Sequence, residues 1–210
     1  MNPGRAVFSQ VIDHLPAHEF RYADDFVLGF EQRAEAERFL RQLRERLAKF
    51  GLELHAEKTR LFADSNRKER GAGKPETFDF LGFTHICGKN RKTGSFEVRR
   101  KTVGKRLAKK LQDIKQQLRQ RMHEPPAQTG EWLRSVVQGY FNYHAIPGNR
   151  RRLCAFRSGV VRQWRGVLAR RSQKARLRWA RMTQLIRCYI PTARLVHPFP
   201  SVRFDAMHPR

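Results

Sequence analysis

The sequence predicts an α+β fold in which strands and one helix come first and basic helices follow. Runs of aromatic and β-branched residues, which indicate strands, are concentrated before residue 100. After that position, apolar residues recur at helical spacing almost to the end of the chain. The charge changes at the same place, because residues 1–97 hold 17 Lys and Arg against 15 Asp and Glu, and residues 98–210 hold 27 against 4.

The strong positive charge indicates a polyanionic partner. The 210 residues carry a net charge of +25, of which residues 98–210 contribute +23. Such a charge repels itself unless a polyanion neutralises it, so nucleic acid is the first partner to consider. No apolar run reaches the ~18 residues that would cross a bilayer, so we expect no membrane partner.

The three cysteines do not predict a zinc site. Cys87, Cys154 and Cys188 are far apart, and no two of them have the CxxC spacing of a zinc ribbon. A sparse and odd number of cysteines is typical of a reducing compartment, so we expect a cytoplasmic protein.

The first 30 residues contain one ambiguous segment and one clear pair of strands. Residues 7–15 have roughly helical apolar spacing that ends at Pro16, which predicts a short helix. Residues 20–30 are aromatic and β-branched on both sides of Asp24 and Asp25. This pattern predicts two short strands joined by a turn at the aspartates.

One helix and further strands are predicted next. Residues 31–50 place apolar side chains at helical intervals, and Gly51 is expected to cap that helix. Residues 52–62 alternate enough to hold a strand. Residues 77–86 form the strongest strand pattern of the chain, and a loop joins them to a partner strand at residues 95–99.

Four helices are predicted after residue 100, separated by breaks that contain proline or glycine. Their predicted bounds are residues 103–122, 132–144, 150–169 and 173–189. The tail, residues 191–210, contains four prolines and is not expected to be regular.

Asp24 and Asp25 carry the chemistry that the first half of the chain predicts. Two adjacent carboxylates repel each other, and apolar strands on both sides add a desolvation cost. A divalent cation offsets both effects, and carboxylate oxygens suit hard cations such as Mg²⁺. Two such ions, about 3.5–4 Å apart, activate a 3′ hydroxyl and stabilise a leaving pyrophosphate. An isolated Asp-Asp pair is more often a simple surface turn, so the flanking residues decide.

The residues that flank the aspartate pair indicate a particular kind of site. Tyr22, Ala23, Asp24 and Asp25 resemble the catalytic hairpin of reverse transcriptases, and residues 21–26 are close to the form used by group II intron enzymes. The resemblance implies that Asp24 and Asp25 hold catalytic Mg²⁺ ions. It also implies that Tyr22 and Ala23 lie beside the incoming nucleotide and the template–primer.

Two further blocks follow in the order that the resemblance requires. Residues 51–59 resemble the next block of the family and would bring Lys58 near a phosphate, although a solvated loop lysine fits Lys58 equally well. Residues 78–83 resemble the last block of the palm, near the primer strand. Gly82 would permit close approach of the backbone there, or it marks a β-bulge in a buried hairpin.

A cluster of basic residues begins where the strands are predicted to end. Its members alternate with an apolar stripe, so one helix face can pack while the other meets phosphates. A solvated charged face is the ordinary alternative, but such faces carry both signs and this region has few acidic residues. The predicted RNA-binding residues of this cluster are Arg99, Arg100, Lys101, Lys105, Arg106, Lys109 and Lys110.

Aromatic residues stand close to arginines further along the helical region. They could stack on unpaired bases, or they could pack between helices. Residues 139–144 resemble part of the maturase-specific domain of group II intron proteins, which implies binding of intron RNA and help with splicing. The candidate RNA-binding residues here are Tyr140, Tyr143, Arg150, Arg151 and Arg152.

Taken over residues 20–210, the resemblance implies three parts. Residues 1–100 would be the C-terminal part of a reverse transcriptase palm, made of the catalytic hairpin, a helix and a β-hairpin. Residues 101–190 would be an all-helical, basic thumb and maturase domain, and residues 191–210 an irregular tail. A complete enzyme of this kind copies RNA into DNA on a template–primer and binds its intron RNA.

One metal ligand of the family has no evident counterpart. The resemblance places a third metal-binding aspartate and the fingers upstream of the hairpin, but only 21 residues precede Tyr22. Asp13 is too near the hairpin and lies in a helical pattern. We therefore expect the chain alone to polymerise poorly, and a separate N-terminal reverse transcriptase fragment is a candidate partner. The alternatives are a non-catalytic RNA-binding splicing factor and a general nucleic-acid-coating protein.

Overall fold

A computed structural model describes residues 8–13, 19–22, 25–30, 32–57, 59–62, 77–89, 96–171 and 178–198. The described residues contain both helices and strands, as the sequence predicts for an α+β fold. The chain consists of two compact units. One comprises residues 1–77 and 86–98, and the other, which we call the helical unit, comprises residues 78–85 and 99–210.

The first unit contains a four-stranded sheet. Its strands are β1 (Phe8–Asp13), β2 (Glu19–Tyr22), β3 (Asp25–Phe30) and β4 (Arg60–Phe62), in the order β2-β3-β1-β4. Strand β1 runs parallel to β3 and to β4, whereas β2 and β3 form an antiparallel hairpin. The predicted helix at residues 7–15 is therefore wrong. A short apolar run does not distinguish helix from strand, and pairing on both edges decides the outcome for β1.

Helix α1 (Arg33–Ala48) connects β3 to β4. It packs on the sheet, where the rings of Phe30 and Phe39 lie 5.3 Å apart between centroids. The predicted cap is confirmed, because Gly51 has a φ of +67° and the next amide N–H donates to the Leu47 carbonyl at 3.0 Å. This pattern is a Schellman motif, which favours glycine because a Cβ would strain the left-handed residue.

Three further strands form a second sheet in the order β5-β6-β7. They are β5 (Thr77–Phe80), β6 (Phe83–Lys89) and β7 (Phe96–Thr102). The single strand predicted at residues 77–86 is wrong, because a two-residue turn divides it. Leu81 and Gly82 both have positive φ, +48° and +81°, as in the tight turns that reverse a hairpin. Strand β7 runs through the boundary predicted near residue 100.

The helical unit contains α2 (Gly104–Gln120), α3 (Pro126–His144), α4 (Arg150–Arg170) and α5 (Trp179–Tyr189). Helix α3 begins six residues before its predicted start, because Pro126 occupies the first turn, where no N–H is required. Residues 172–177, which include the predicted start of α5, lie outside the described residues. Among the described helices, none is long and apolar enough to cross a bilayer.

Large apolar side chains of α2, α3, α4 and α5 make the core of the helical unit. Each helix turns one apolar stripe inward and leaves its charged side chains outside, as an amphipathic helix must. Burial of these side chains is the main favourable term available to a unit with so much like charge. The largest members, all at most 2% exposed, are Trp164, Phe156, Ile114, Leu118, Leu133, Leu153 and Met182.

One buried polar residue fixes the turn between α3 and α4. Asn149 is fully buried, and its Oδ1 accepts the backbone N–H of Thr102 at 2.9 Å. Its Nδ2 donates to Thr102 Oγ1 at 2.7 Å and to the His144 carbonyl at 2.8 Å. Both N–H groups and the carbonyl of this amide are thus used against the end of β7 and the end of α3.

Replacing Asn149 by Ala should destabilise the helical unit by about 2–3 kcal/mol, because it leaves the buried Thr102 N–H without its acceptor and removes one of the two hydrogen bonds to the His144 carbonyl, which also accepts from the Ile146 N–H. Urea unfolding, followed by tryptophan fluorescence, measures the change, since Trp132, Trp164 and Trp179 all lie in this unit. The exposed neighbour provides the control, and Arg150→Ala should change the free energy of unfolding by no more than about 0.5 kcal/mol. Equal effects of the two substitutions would contradict the assignment.

Candidate functional site

The predicted catalytic segment lies where β2 ends and β3 begins. Tyr22 and Asp25 are opposite each other in the antiparallel register, and only two residues connect them. Ala23 and Asp24 lie outside the described residues, and of Tyr22 and Asp25 only the backbone is described. Behind the turn, Val27 of β3 is buried. Asp25 therefore begins a strand whose following residues enter the apolar interior.

The position of Asp13 bears on the third metal ligand. In the parallel register of β1 and β3, Phe8 is opposite Asp25 and Asp13 is opposite Phe30. At 3.3 Å per residue, Asp13 is then about 17 Å along the sheet from Asp25. The expectation that Asp13 does not join the pair stands, but the helical pattern given as its reason is wrong.

The predicted acidic pair has the chemistry that the predicted metal requires. Carboxylate oxygens at residues 24 and 25 are the ligands that Mg²⁺ prefers. Within the part of the chain that the structure describes, no three His, Cys, Asp or Glu side chains gather as a metal site. Lys58, the predicted phosphate contact, lies outside the described residues.

Gly82 belongs to the tight turn between β5 and β6, and two groups of the helical unit donate hydrogen bonds to this turn. The Tyr143 hydroxyl donates to the Leu81 carbonyl at 2.7 Å, and the Val103 N–H donates to the Gly82 carbonyl at 3.0 Å. A Cβ on Gly82 would stand 3.1 Å from Nη1 of Arg106. The positive φ and the close approach of Arg106 therefore explain why position 82 is a glycine. The β-bulge interpretation is wrong, because Gly82 lies in the turn of the hairpin.

Most of the predicted RNA-binding cations are on the surface of the chain. Arg100 is the exception, since it is half-buried and burial lowers the pKa of its guanidinium. Surface cations are available to phosphates at little desolvation cost. The exposed members are Arg99, Lys101, Lys105, Arg106, Lys109, Lys110, Arg150, Arg151 and Arg152.

A groove of about 450 Å³ between α2 and α3 brings several predicted residues together. Arg106 and Lys110 line it from α2, and Ser135 and Tyr143 line it from α3. Tyr143 is 52% exposed, and its ring stacks on Phe83 at 5.6 Å between centroids. The groove thus combines two cations with hydroxyl groups, a combination that suits a sugar–phosphate backbone.

Tyr140 does not have the accessibility that base stacking requires. Its side chain is 8% exposed, and its ring stacks on Phe156 with the centroids 3.7 Å apart. Burial raises the pKa of its hydroxyl, which approaches Thr102 without a hydrogen bond of good geometry. The prediction that Tyr140 binds RNA is therefore corrected, because its apolar ring gains more from the core. Phe141, at 2% exposed, is also a packing residue.

Two histidines beside arginines stay neutral. The pKa of His144 is lowered to about 4 by burial, and then by the positive charge of Arg106. The pKa of His85 is lowered to about 4 by burial, and then by Arg100. The imidazoles therefore add no positive charge to the groove or to the turn at neutral pH.

Sequence reasoning missed an aromatic–arginine stack on α4 and α5. The guanidinium carbon of Arg165 lies 4.1 Å from the ring centre of Trp179, which is 58% exposed. A signal was present, because Trp179 stands between Arg178 and Arg181 in a stretch, residues 132–204, that contains no carboxylate.

Comparison with known protein families gives one match. Residues 6–85 match the family model described as reverse transcriptase (RNA-dependent DNA polymerase). The match includes the hairpin with Tyr22 and Asp25, helix α1 and the turn at Leu81 and Gly82. No curated protein matches the chain.

The family match confirms the predicted resemblance to reverse transcriptases over residues 6–85. At the level of that family, the activity is RNA-directed DNA polymerisation on a nucleic-acid template, and it generally uses divalent metal ions. The group II intron type, the maturase domain and the role of each site residue stay predictions.

Replacing Gly82 by Ala should destabilise the helical unit by about 1–2 kcal/mol, because alanine is strained at a φ of +81°. Gly139 provides a control of opposite sign. It lies in α3, and no neighbouring atom lies within 4 Å of the position that a Cβ would take, so Gly139→Ala should stabilise the helix by about 0.5–1 kcal/mol. Urea midpoints at constant slope measure both changes, and a neutral Gly82→Ala would contradict the turn geometry.

The free energy of unfolding of the helical unit should fall as the pH is lowered from 6.5 to about 4. Between these pH values His144 and His85 are protonated in the unfolded chain but neutral in the folded chain. Above pH 6.5 the two imidazoles are neutral in both states. His144→Gln should make the fall less steep. Urea unfolding at several pH values between 7.5 and 4.5 tests this, and an unchanged slope in the variant would show that His144 titrates normally when folded.

Proposed function

We propose that this chain is the C-terminal part of a group II intron-type reverse transcriptase and maturase. Residues 1–100 would supply the end of the palm, and residues 101–190 a basic thumb and maturase domain that binds RNA. The support is the reverse transcriptase match at residues 6–85, followed by a region that carries 27 Lys and Arg against 4 Asp and Glu. Intron RNA and an RNA template with its DNA primer would be the partners.

The observation that carries the proposal is the register of the catalytic hairpin. Tyr22 is opposite Asp25 at a two-residue turn, inside the matched residues. Asp24 and Asp25 would hold Mg²⁺, which supplies activation of the primer hydroxyl and neutralisation of the leaving group. The backbone of β3, which begins at Asp25, pairs on both edges, with β2 and with β1. Tyr22 and Ala23 would border the nucleotide.

The helical unit would hold nucleic acid mainly through its cations. The exposed side chains of Arg106 and Lys110 line the groove between α2 and α3 and would contact phosphates there. The Tyr143 hydroxyl donates a hydrogen bond to the Leu81 carbonyl, so this contact with the turn does not require bound nucleic acid. Arg150, Arg151 and Arg152 begin α4 and offer three more exposed guanidinium groups.

The second candidate is a non-catalytic splicing factor that keeps only the RNA-binding surface. The backbone position of Asp13 favours it, because this residue is opposite Phe30 in the register and Asp25 is opposite Phe8, at the other end of β1. A separate polypeptide carrying the third aspartate would restore the enzyme. The two candidates therefore differ in whether Asp24 and Asp25 are needed.

Primer extension on an RNA template with Mg²⁺, run beside an intron-splicing assay, separates the candidates. Asp25→Asn should lower extension by at least about 100-fold, because it removes one charge from the metal ligands. RNA binding should be unchanged, since the helical unit is untouched. Splicing that survives the substitution, with no extension by the wild type, would favour the splicing factor.

Asp13→Asn is the matched control for Asp25→Asn. Both substitutions remove one carboxylate from neighbouring strands of the same sheet, but Asp13 lies at the opposite end of the register. Extension should survive Asp13→Asn. If both variants lost extension equally, the loss would reflect the sheet as a whole, and the hairpin would not be the catalytic site.

A further inference from the structure

The exposed surface of α4 and α5 carries a feature that the proposed catalytic hairpin does not use. Trp179 begins α5 and is 58% exposed, whereas Trp164 in the same unit is fully buried. An exposed indole gives up most of the free energy that its burial would provide. A cation–π contact with a partly exposed arginine distinguishes Trp179 from the other exposed apolar side chains of the described residues, such as Phe50.

The geometry of the contact leaves one flat face open. Arg165 is partly buried on α4, and its guanidinium carbon lies 4.1 Å from the ring centre of Trp179, which covers one face of the indole. Among the described rings, none stacks on the other face of Trp179. A planar group is the shape that this open face accepts.

The charge around the stack restricts the partner further. Arg162 lies one helical turn before Arg165 on the same face of α4, and Arg178 directly precedes Trp179; both of these arginines are exposed. Residues 132–204 contain no Asp or Glu, so these cations have no carboxylate of their own stretch to pair with. The partner must therefore be planar at one point and anionic around it, which describes a base with its flanking phosphates.

We propose that Trp179 and Arg165 form a stacking site for one unpaired base of an RNA strand, with Arg162 and Arg178 beside it to contact the neighbouring phosphates. The site rests on the proposed function only in taking RNA as the polyanion. Stacking tolerates any base, because every base has a π-face, so the site would recognise an unpaired nucleotide and not a sequence. An acidic protein or an anionic lipid surface also matches the charge, but neither requires a flat face on the indole.

The test compares two short, unstructured RNA strands that have the same number of phosphates, one with its bases and one abasic. Fluorescence anisotropy of the labelled strands gives the affinities. Trp179→Ala should weaken binding of the strand with bases roughly 5- to 100-fold and leave the abasic strand unchanged. Trp179→Phe should recover part of the loss. Arg162→Ala should weaken both strands and reduce the salt dependence of binding by about one phosphate contact.

Phe50→Ala is the matched control, because Phe50 is 71% exposed and lies outside the helical unit. It should leave both affinities unchanged. Circular dichroism of each variant establishes that the helices remain folded, as expected for an exposed position.

Three outcomes would overturn the stacking site. In the first, Trp179→Ala binds both strands as the wild type does; in the second, it weakens both equally. In the third, it weakens binding to anionic lipid vesicles or polyglutamate as much as binding to RNA. In each case, retained binding of intron RNA by the wild type would leave the proposed function standing. A wild type that bound no RNA at all would remove both proposals.

Discussion

Uncompensated positive charge is the constraint on which the rest of the helical unit depends. Residues 132–204 contain 15 Arg and one Lys and no carboxylate. Like charges within about 10 Å of each other repel at ordinary ionic strength, so the fold depends mainly on interactions other than the pairing of opposite charges. The buried Trp164 and Phe156, and the neutral amide of Asn149, supply such terms. His144 and His85 follow the same constraint, since burial and a neighbouring arginine keep each imidazole neutral.

The turn at Leu81 and Gly82 belongs both to the residues that match reverse transcriptases and to the helical unit. It lies inside residues 6–85, which match reverse transcriptases, yet it groups with residues 99–210. Its carbonyl groups accept hydrogen bonds from Tyr143 and Val103, which lie outside the matched residues. The conformation of the last matched residues therefore depends on side chains that the family match does not include. A fragment ending at residue 85 would lose these contacts.

The sequence is sufficient for features that local chemistry decides. Apolar spacing locates the helices α1 and α4 nearly to the residue, and Gly51 marks a helix end because only glycine takes its left-handed conformation without strain. Features decided by tertiary pairing are not predictable in this way. The six residues of β1 are too few for their periodicity to distinguish a strand from a helix. The positive φ of Leu81 is likewise not predictable from the sequence, because leucine rarely adopts it.

The candidate site shows the same division between local and tertiary information. The acidic hairpin is predictable because four adjacent residues carry its signal, whereas the fate of each aromatic residue depends on packing that no local pattern reveals. Tyr140 and Tyr143 are three residues apart on one helix, yet one ring stacks on Phe156 in the core and the other is half exposed. Trp179 escapes sequence reasoning because its significance lies in Arg165 on another helix.

The choice between lysine and arginine distinguishes two surfaces of the helical unit. Helix α2 carries four Lys and two Arg, whereas residues 132–204 use arginine almost alone. An ammonium group meets a phosphate as a point charge and suits a regular backbone whose phosphates repeat. A guanidinium group is planar, stacks on rings and binds phosphate with two hydrogen bonds, which suits irregular RNA with unpaired bases. If the chain binds RNA as we propose, the groove beside α2 and the stack at Trp179 would contact different parts of a folded RNA.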